Sequence, residues 1–503
     1  MTLYAGIDCG TQSTKVVIVD SESAQILGEG FASHPLISEA SGRREQHASW
    51  WTDALESAFC QAINNAEIDG KQIAAISVSG QQHGFVPLDQ QGHVIAPVKL
   101  WCDTETAVEN QMIIDALGGT QGALAQLGLM PQTGYTISKI LWLKTHHPEL
   151  WEQLDTVLLP HDYLNFWLTG VRVAEYGDAS GTGLLNIRSR EWDLHTINLV
   201  DDSGRLQHAL PRLVTAETCI GTVLPDIADR LGISHQTKVA SGGGDNMMAA
   251  IGTGNIKPGI ITMSLGTSGT LFTYSDTPII ADSEMIAGFC SSTNGWLPLI
   301  CTMNVTSATT TIQNFLNLDL NGFNHALEQT APGANGLKML PFFNGERVPQ
   351  LPQAKASIHN IDSNNLNAHN LSLAVVESAT YGLRFGIDLF RKQGIQANEI
   401  RLTGGGAKSA KWRQIVANIM NSPVICVTNS EAAALGAAIQ AIWCDTLTEQ
   451  DDKTELLAQI CQRFVHLDES TLVKPDHTHV SCYEALYQDY LSLLQTEYPE
   501  VAI

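Results

Sequence analysis

The chain is 503 residues long and carries 28 Lys plus Arg against 52 Asp plus Glu, a formal net charge of −24. That length exceeds the roughly 250–300 residues at which a single core stops growing, so at least two packed domains are expected. The charge repels phosphate backbones and anionic membrane surfaces, which argues against nucleic acid as a partner, yet a buried site can still hold a nucleotide's phosphates on backbone N–H groups and a cation.

In chain order, residues 3–7 and 15–20 are short runs of strand formers separated by a Gly/Thr/Ser-rich segment at 10–14, which predicts a β-hairpin. Residues 49–62 place Trp51, Leu55 and Phe59 four apart, the spacing of an amphipathic helix, and residues 73–79 read as a strand. Further strand-like runs are 238–240 and 400–402, the latter leading to a helix at 412–420. The longest predicted helix is 370–393, where Leu373, Val376, Thr380, Leu383, Ile387 and Phe390 keep a 3–4 spacing and Gly394 supplies a stop. An acidic stretch at 448–452 looks less ordered, and a last amphipathic helix carries Tyr483, Leu486, Tyr487, Tyr490, Leu491 and Leu494. The class is mixed α/β. Ten scattered cysteines form no C-x-x-C pair and no zinc-ligand spacing with His, and no apolar run approaches 18 residues, so a reduced cytoplasmic setting without a membrane span is expected.

One pattern occurs twice. Asp8-Cys9-Gly10-Thr11-Gln12-Ser13-Thr14 lies between two strand-like runs, and so does Ser264-Leu265-Gly266-Thr267-Ser268-Gly269-Thr270. A duplicated hairpin places a boundary near Gly242 and suggests domains at 1–243 and 244–503. Small residues in such turns let backbone N–H groups approach phosphates, and a carboxylate at the strand end, Asp8, can reach Mg²⁺ through water. The same turns also occur as ordinary hairpins. A third glycine run, Gly404-Gly405-Gly406, lies between a strand and a helix, where flat backbone can meet a nucleotide base or ribose. It has neither the Walker ending nor the dinucleotide-binding spacing. Ser241-Gly242-Gly243-Gly244-Asp245-Asn246 frees the backbone to bring a carboxylate to the start of a helix, where Asp245 reads equally as a functional group or as an N-cap. Gly80-Gln81-Gln82-His83-Gly84 and Leu100-Trp101-Cys102-Asp103 add amide, imidazole, indole and carboxylate groups suited to sugar hydroxyls.

Together these residues resemble the FGGY carbohydrate kinases, in order and spacing, over about residues 3–494. The resemblance is carried by Asp8 to Thr11, by Glu45, Gln46, Trp50 and Trp51, and by Gly80 to Gly84, the last pointing to the branch that phosphorylates D-xylulose. It continues through Gly134-Tyr135-Thr136-Ile137-Ser138-Lys139, Leu159 to Leu164, Asp178 to Thr182, Gly242 to Asn246, Ser264 to Gly269, Gly345-Glu346-Arg347 and Gly404 to Ala407. It implies two ribonuclease-H-like domains of the actin-like ATPase type around a central cleft, and ATP-dependent phosphorylation of a ketopentose, D-xylulose before ribulose, a ketohexose or a glycerol-like polyol. A non-catalytic sugar sensor or actin-like assembly protein is the other class. The resemblance further implies Asp245 as catalytic base and Asp8 and Asp245 on Mg²⁺. Gln82, His83, Trp101, Asp103 and Asn246 fall on the sugar, and Thr11, Gln12, Ser13, Gly266, Thr267, Gly405 and Gly406 on ATP. A homodimer is frequent in the family.

Five positions depart from that branch's usual pattern: Gln82 for Met, His161 for Lys, Ser138 for Pro, Cys102 for Asn and Asn314 for Trp. Gln82 bears most directly on the sugar, because an amide adds a donor and an acceptor where a thioether has neither. The segment 356–362 also departs, from an apolar run.

Overall fold

The computed structural model describes residues 2–501. The backbone divides into two compact units, the first made of Met1–Ile256, Tyr274–Pro298 and Glu431–Val465, the second of Lys257–Thr273, Leu299–Ser430 and His466–Ile503.

In the first unit the strands Leu3–Cys9 and Ser13–Asp20 form the expected antiparallel hairpin, with Asp8 opposite Lys15 and Cys9 opposite Thr14. Gln25–Ser33 adds antiparallel to its outer side. Ile73–Gly80 pairs parallel on the inner side, then Lys238–Ala240 parallel and Cys219–Thr222 antiparallel. Side chains alternate across a strand, so the hairpin is apolar on both faces only if both faces are covered. Leu3, Ala5, Ile7, Val16 and Ile18 pack with Trp51, Leu55 and Phe59 of the helix Ala48–Ala66. Tyr4, Val17 and Val19 pack with Ala434, Leu435, Ala438 and Ile442 of the helix Ala432–Thr446. Period-two burial with near-continuous hydrophobicity is thus explained by two helices, one early and one late in the chain.

The second unit repeats the order. Ile260–Leu265 and Gly269–Thr273 are an antiparallel hairpin, extended antiparallel by Trp296–Thr302, which enters this unit at Leu299. On the other side Glu399–Thr403 and Val424–Val427 pair parallel, and Leu467–Val473 closes antiparallel. The duplication suggested by the two turn sequences is therefore a duplication of sheet order.

The longest helix spans Ala368–Lys392, started by Asn367, whose Oδ1 accepts from Asn370 N at 3.0 Å, and followed by Gly394 at φ +81°. The last helix is longer than its apolar pattern, His477–Glu497, with Tyr483, Tyr487, Tyr490, Leu491 and Leu494 buried. The acidic stretch at 448–452 is not loose: Asp451 accepts from Thr448 N at 2.8 Å, and Asp452 caps the helix Lys453–Phe464. Carboxylates there serve local N–H groups, a role that composition alone does not reveal. Among the described residues no helix is long and apolar enough to cross a membrane.

Candidate active site

Three chain segments of the first unit end side by side because their strands are in register. Asp8 lies opposite Ser79 in the parallel pair, and Ser79 Oγ donates to Asp8 Oδ1 at 2.8 Å. Gly243 lies opposite Ser79 on the other side, and Gly244 opposite Gly80. The chain then turns directly into the helix Asp245–Gly252. Gly244 has no room for a side chain: a Cβ there would lie 2.8 Å from Gln82 Cγ and 3.0 Å from Asp178 Oδ1.

The N-cap is Gly244, and Asp245 is the first helical residue. Asp245 Oδ1 accepts from Asn246 N, a first-turn N–H, at 2.7 Å and from Asn246 Nδ2 at 2.9 Å. Burial, with the charges of Asp8 and Asp178 adding to it, pushes its pKa up to about 7 against the opposing Asn246 bonds. Burial likewise raises Asp8 to about 6, opposed by the Ser79 bond and the Lys15 charge. Two half-buried carboxyls whose ionised forms are disfavoured by limited solvent and by nearby negative charge are a donor set matched to a hard divalent cation.

His83 follows at φ +64°, a left-handed conformation uncommon outside glycine. Its ring stacks on Tyr135 with centroids 4.3 Å apart and an 18° interplanar angle. Nδ1 sits 2.7 Å from Gly181 O, which can only accept, so the assigned tautomer has the proton on Nδ1 and the lone pair on Nε2. The backbone is pinned by Lys139, whose fully buried Nζ donates to His83 O at 2.5 Å and to Gly134 O at 2.6 Å. Burial lowers the Lys139 pKa to about 7. Gln82 is buried, and its Oε1 accepts from Asn246 Nδ2 at 2.9 Å. Trp101 is 40% exposed, with Nε1 donating to Thr11 Oγ1 at 2.9 Å. Asp103 is fully buried in the same loop, and its oxygens accept from Arg44 N at 2.7 Å and Glu105 N at 3.0 Å, with Lys99 Nζ 3.4 Å away. Asp103 thus braces the Trp101 loop, and Lys99 joins it to Glu45 and Glu105.

Of the residues expected on ATP, Thr11, Gln12 and Ser13 form the hairpin turn of the first unit, closed by Gly10 N to Ser13 O at 3.0 Å. Gly266, Thr267, Gly405 and Gly406 belong to the second unit, where the two glycine-rich turns meet. Gly404 has φ +84°, and a Cβ there would lie 2.7 Å from Leu265 C and 3.0 Å from Gly266 N. The carbonyls of Gly266 and Thr267 accept from Thr306 N and Ser307 N at 2.9 and 3.2 Å, tying the turn to the helix Thr306–Phe315.

Charged side chains behind the site, to which the sequence assigned no role, are held in a buried cluster. His161 Nδ1 lies 2.7 Å from Asp178 Oδ2, and Nε2 lies 2.9 Å from Asp162 Oδ1. All three are buried. Glu175 Oε2 accepts from Gly177 N and Ser292 Oγ, each at 2.8 Å. The available signal was charge density in segments otherwise reading as core.

Models for the FGGY family of carbohydrate kinases match nearly the whole chain, the N-terminal domain at residues 3–252 and the C-terminal domain at 261–444. The chain is 47% identical over 500 residues to a xylulose kinase of Haemophilus influenzae, covering 99% of this chain and 100% of that one. It is 31% identical over 500 residues to a xylulose kinase of Bacillus subtilis, covering 98% and 97%. Among solved structures it is similar to a ligand-bound xylulose kinase from Lactobacillus acidophilus, with TM-score 0.90, 25% identity and coverage of 99% and 98%. A gluconate kinase from Lactobacillus acidophilus is equally similar, with TM-score 0.90, 25% identity and coverage of 98% of each chain. With the repeated sheet order and the Asp8 and Asp245 carboxylates in place, the chain belongs to the FGGY family of carbohydrate kinases and is a carbohydrate kinase.

Proposed function

We propose that the chain transfers the γ-phosphoryl group of ATP to the terminal hydroxyl of a ketopentose, converting D-xylulose to D-xylulose 5-phosphate. The observation that carries this reading is Asp245: a half-buried carboxylate at a helix start, held by Asn246, whose pKa of about 7 suits a general base at neutral pH. The xylulose kinases among its relatives, 47% identical in one case over essentially the whole chain, support the choice of sugar.

Asp245 takes the proton of the attacking hydroxyl as its oxygen forms the bond to the γ-phosphorus and the bond to the leaving ADP oxygen breaks. The transition state is loose, so positioning and charge neutralisation supply most of the acceleration. Asp8 and Asp245 are the residues that would hold Mg²⁺, which when bound supplies neutralisation of phosphate charge. His83, with its lone pair on Nε2, accepts from a sugar hydroxyl, and Asn246 and Trp101 complete the sugar's polar surroundings. Thr11, Gln12 and Ser13 are assigned to phosphate, and Gly266, Thr267, Gly405 and Gly406 to the nucleotide.

A coupled ADP-release assay over ketoses, polyols and gluconate tests the reading. D-Xylulose should give the highest kcat/KM. A preference for gluconate, ribulose or glycerol would overturn the sugar, and ATP turnover with none of them would favour the sensor or assembly reading.

A further inference from the structure

We propose that His161 and Asp178 form a buried ion pair that fixes the Gln82 amide and, through Asn246, the orientation of the Asp245 carboxylate. The proposal rests on the reading of Asp245 as base. His161 and Asp178 are positioning residues in it and touch no substrate.

His161 lies in the first turn of the helix Pro160–Thr169 and is fully buried. Both of its ring nitrogens face carboxylate oxygens, Asp178 Oδ2 at 2.7 Å and Asp162 Oδ1 at 2.9 Å, the second without hydrogen-bond alignment. A neutral imidazole has one N–H and one lone pair, and a lone pair facing a carboxylate is repelled, so with both carboxyls ionised only the imidazolium satisfies both sides. Burial alone would lower its pKa, but Asp162 and Asp178 together hold it well above 6.5. The charged groups around it are Asp162 on its own helix, Asp178 on Tyr176–Ala179, and Glu175 just before that helix, where burial raises the Glu175 pKa to about 7 and the His161 charge opposes the rise. Backbone closes the remaining sides: a Cβ on Gly80 would lie 2.8 Å from His161 N, and one on Gly242 would lie 2.9 Å from His161 Cδ2. The pair therefore sits directly beneath the two segments that carry Gln82 and Asp245.

The donor and acceptor sense then runs one way through the site. Asp178 gives Oδ2 to His161, and its Oδ1 converges with the Gln82 side chain over Gly244. Gln82 Nε2 and Asp178 Oδ1 are buried without an aligned bond, yet the amide still lowers the Asp178 proton affinity, against burial, which raises it. An anion on that side fixes the NH₂ end of Gln82 toward Asp178 and its Oε1 toward Asn246. Asn246 Nδ2 then donates to Gln82 Oε1 and Asp245 Oδ1, at 2.9 Å each. Turning either amide over would set like against like. Gln82 is committed to this chain, so its effect on the reaction is to aim Asp245.

The experiment combines kinetics with NMR of [¹⁵N]histidine-labelled full-length protein. At pH 8 the His161 resonance, assigned by its loss in His161→Lys, should show both nitrogens protonated. His161→Gln should lower kcat about 10–100-fold, the cost of a misplaced reacting group, with the KM for ATP unchanged, and His161→Lys should recover most of the loss. A cycle of His161→Gln with Gln82→Leu should be strongly non-additive, because both break one chain. A neutral His161 at pH 8, additive losses, or full turnover in folded His161→Gln would overturn the proposal. If His161→Gln does not fold, the same cycle is run with Asp178→Asn. Wild-type protein inactive on every sugar would sink the proposed function instead, leaving the NMR result to decide the ion pair.

Discussion

Ser79 donates its hydroxyl to Asp8 Oδ1 at 2.8 Å across the parallel register of their strands, and this bond, with the Lys15 charge, favours the ionised form of a carboxyl that burial raises to about 6. Ser79→Ala removes a hydrogen bond to a charged group, worth about 1.5–3 kcal/mol. The half-saturating Mg²⁺ concentration for turnover should rise about tenfold, with kcat at saturating Mg²⁺ close to wild type. An unchanged Mg²⁺ titration would remove Asp8 from the metal's surroundings.

Asp245→Asn keeps the shape of the helix start and removes the base. Turnover should fall about 10²–10⁴-fold, the range for a positioned general base, while calorimetric affinities for sugar and for ATP stay within a few-fold. Undiminished turnover would transfer the role elsewhere.

Lys139→Met leaves His83 O without its 2.5 Å donor and Gly134 O without its 2.6 Å donor, while His83 must still hold φ +64°. His83 O keeps the Thr136 Oγ1 donor at 3.2 Å, whereas Gly134 O loses its side-chain donor, and a buried carbonyl left unpaired costs about 1–3 kcal/mol. The KM for the sugar should rise about 10-fold or more with little change in the KM for ATP, since His83 is assigned to the sugar and not to the phosphates, and the Tm should fall. Equal rises in both KM values would show a general loss of structure instead.

Glu377, buried in the second unit, has its pKa raised to about 7 by burial, against the opposing bonds from Gly333 N and Tyr483. Between about 4.5 and 7 the folded chain therefore holds a proton that the unfolded chain has lost, so stability falls as pH rises through that window. Glu175, raised to about 7, acts with the same sign. Glu377→Gln should flatten the fall in Tm between pH 5 and 8 without removing it. An unaltered slope would mean that Glu377 is ionised in the folded protein at neutral pH.

Both hairpins were legible because a Gly/Thr/Ser turn between runs of strand formers leaves few alternatives, and Leu3–Cys9 with Ser13–Asp20 and Ile260–Leu265 with Gly269–Thr273 appear where the repeated motif set them. The role of Ala432–Thr446 was not legible, because an Ala-rich apolar helix carries no mark of the sheet it will cover. Asp245 could not be separated from an N-cap by sequence, since one residue of shift distinguishes the cap from the first helical position. His161 and Asp178 stand 17 residues apart in the chain, and only tertiary packing turns two motif letters into an ion pair.

The first unit takes the helix Ala432–Thr446 from a segment that follows most of the second unit in the chain. During synthesis the N-terminal sheet must therefore wait, with Tyr4, Val17 and Val19 uncovered on one face, until about residue 465 has left the ribosome. Domains ordinarily fold as they emerge, N-terminal first. Here the N-terminal unit is completed only after most of the other has been made, so a nascent chain stopped anywhere between residues 256 and 431 carries a sticky, half-clothed sheet. No single cut in the gene would yield either unit whole.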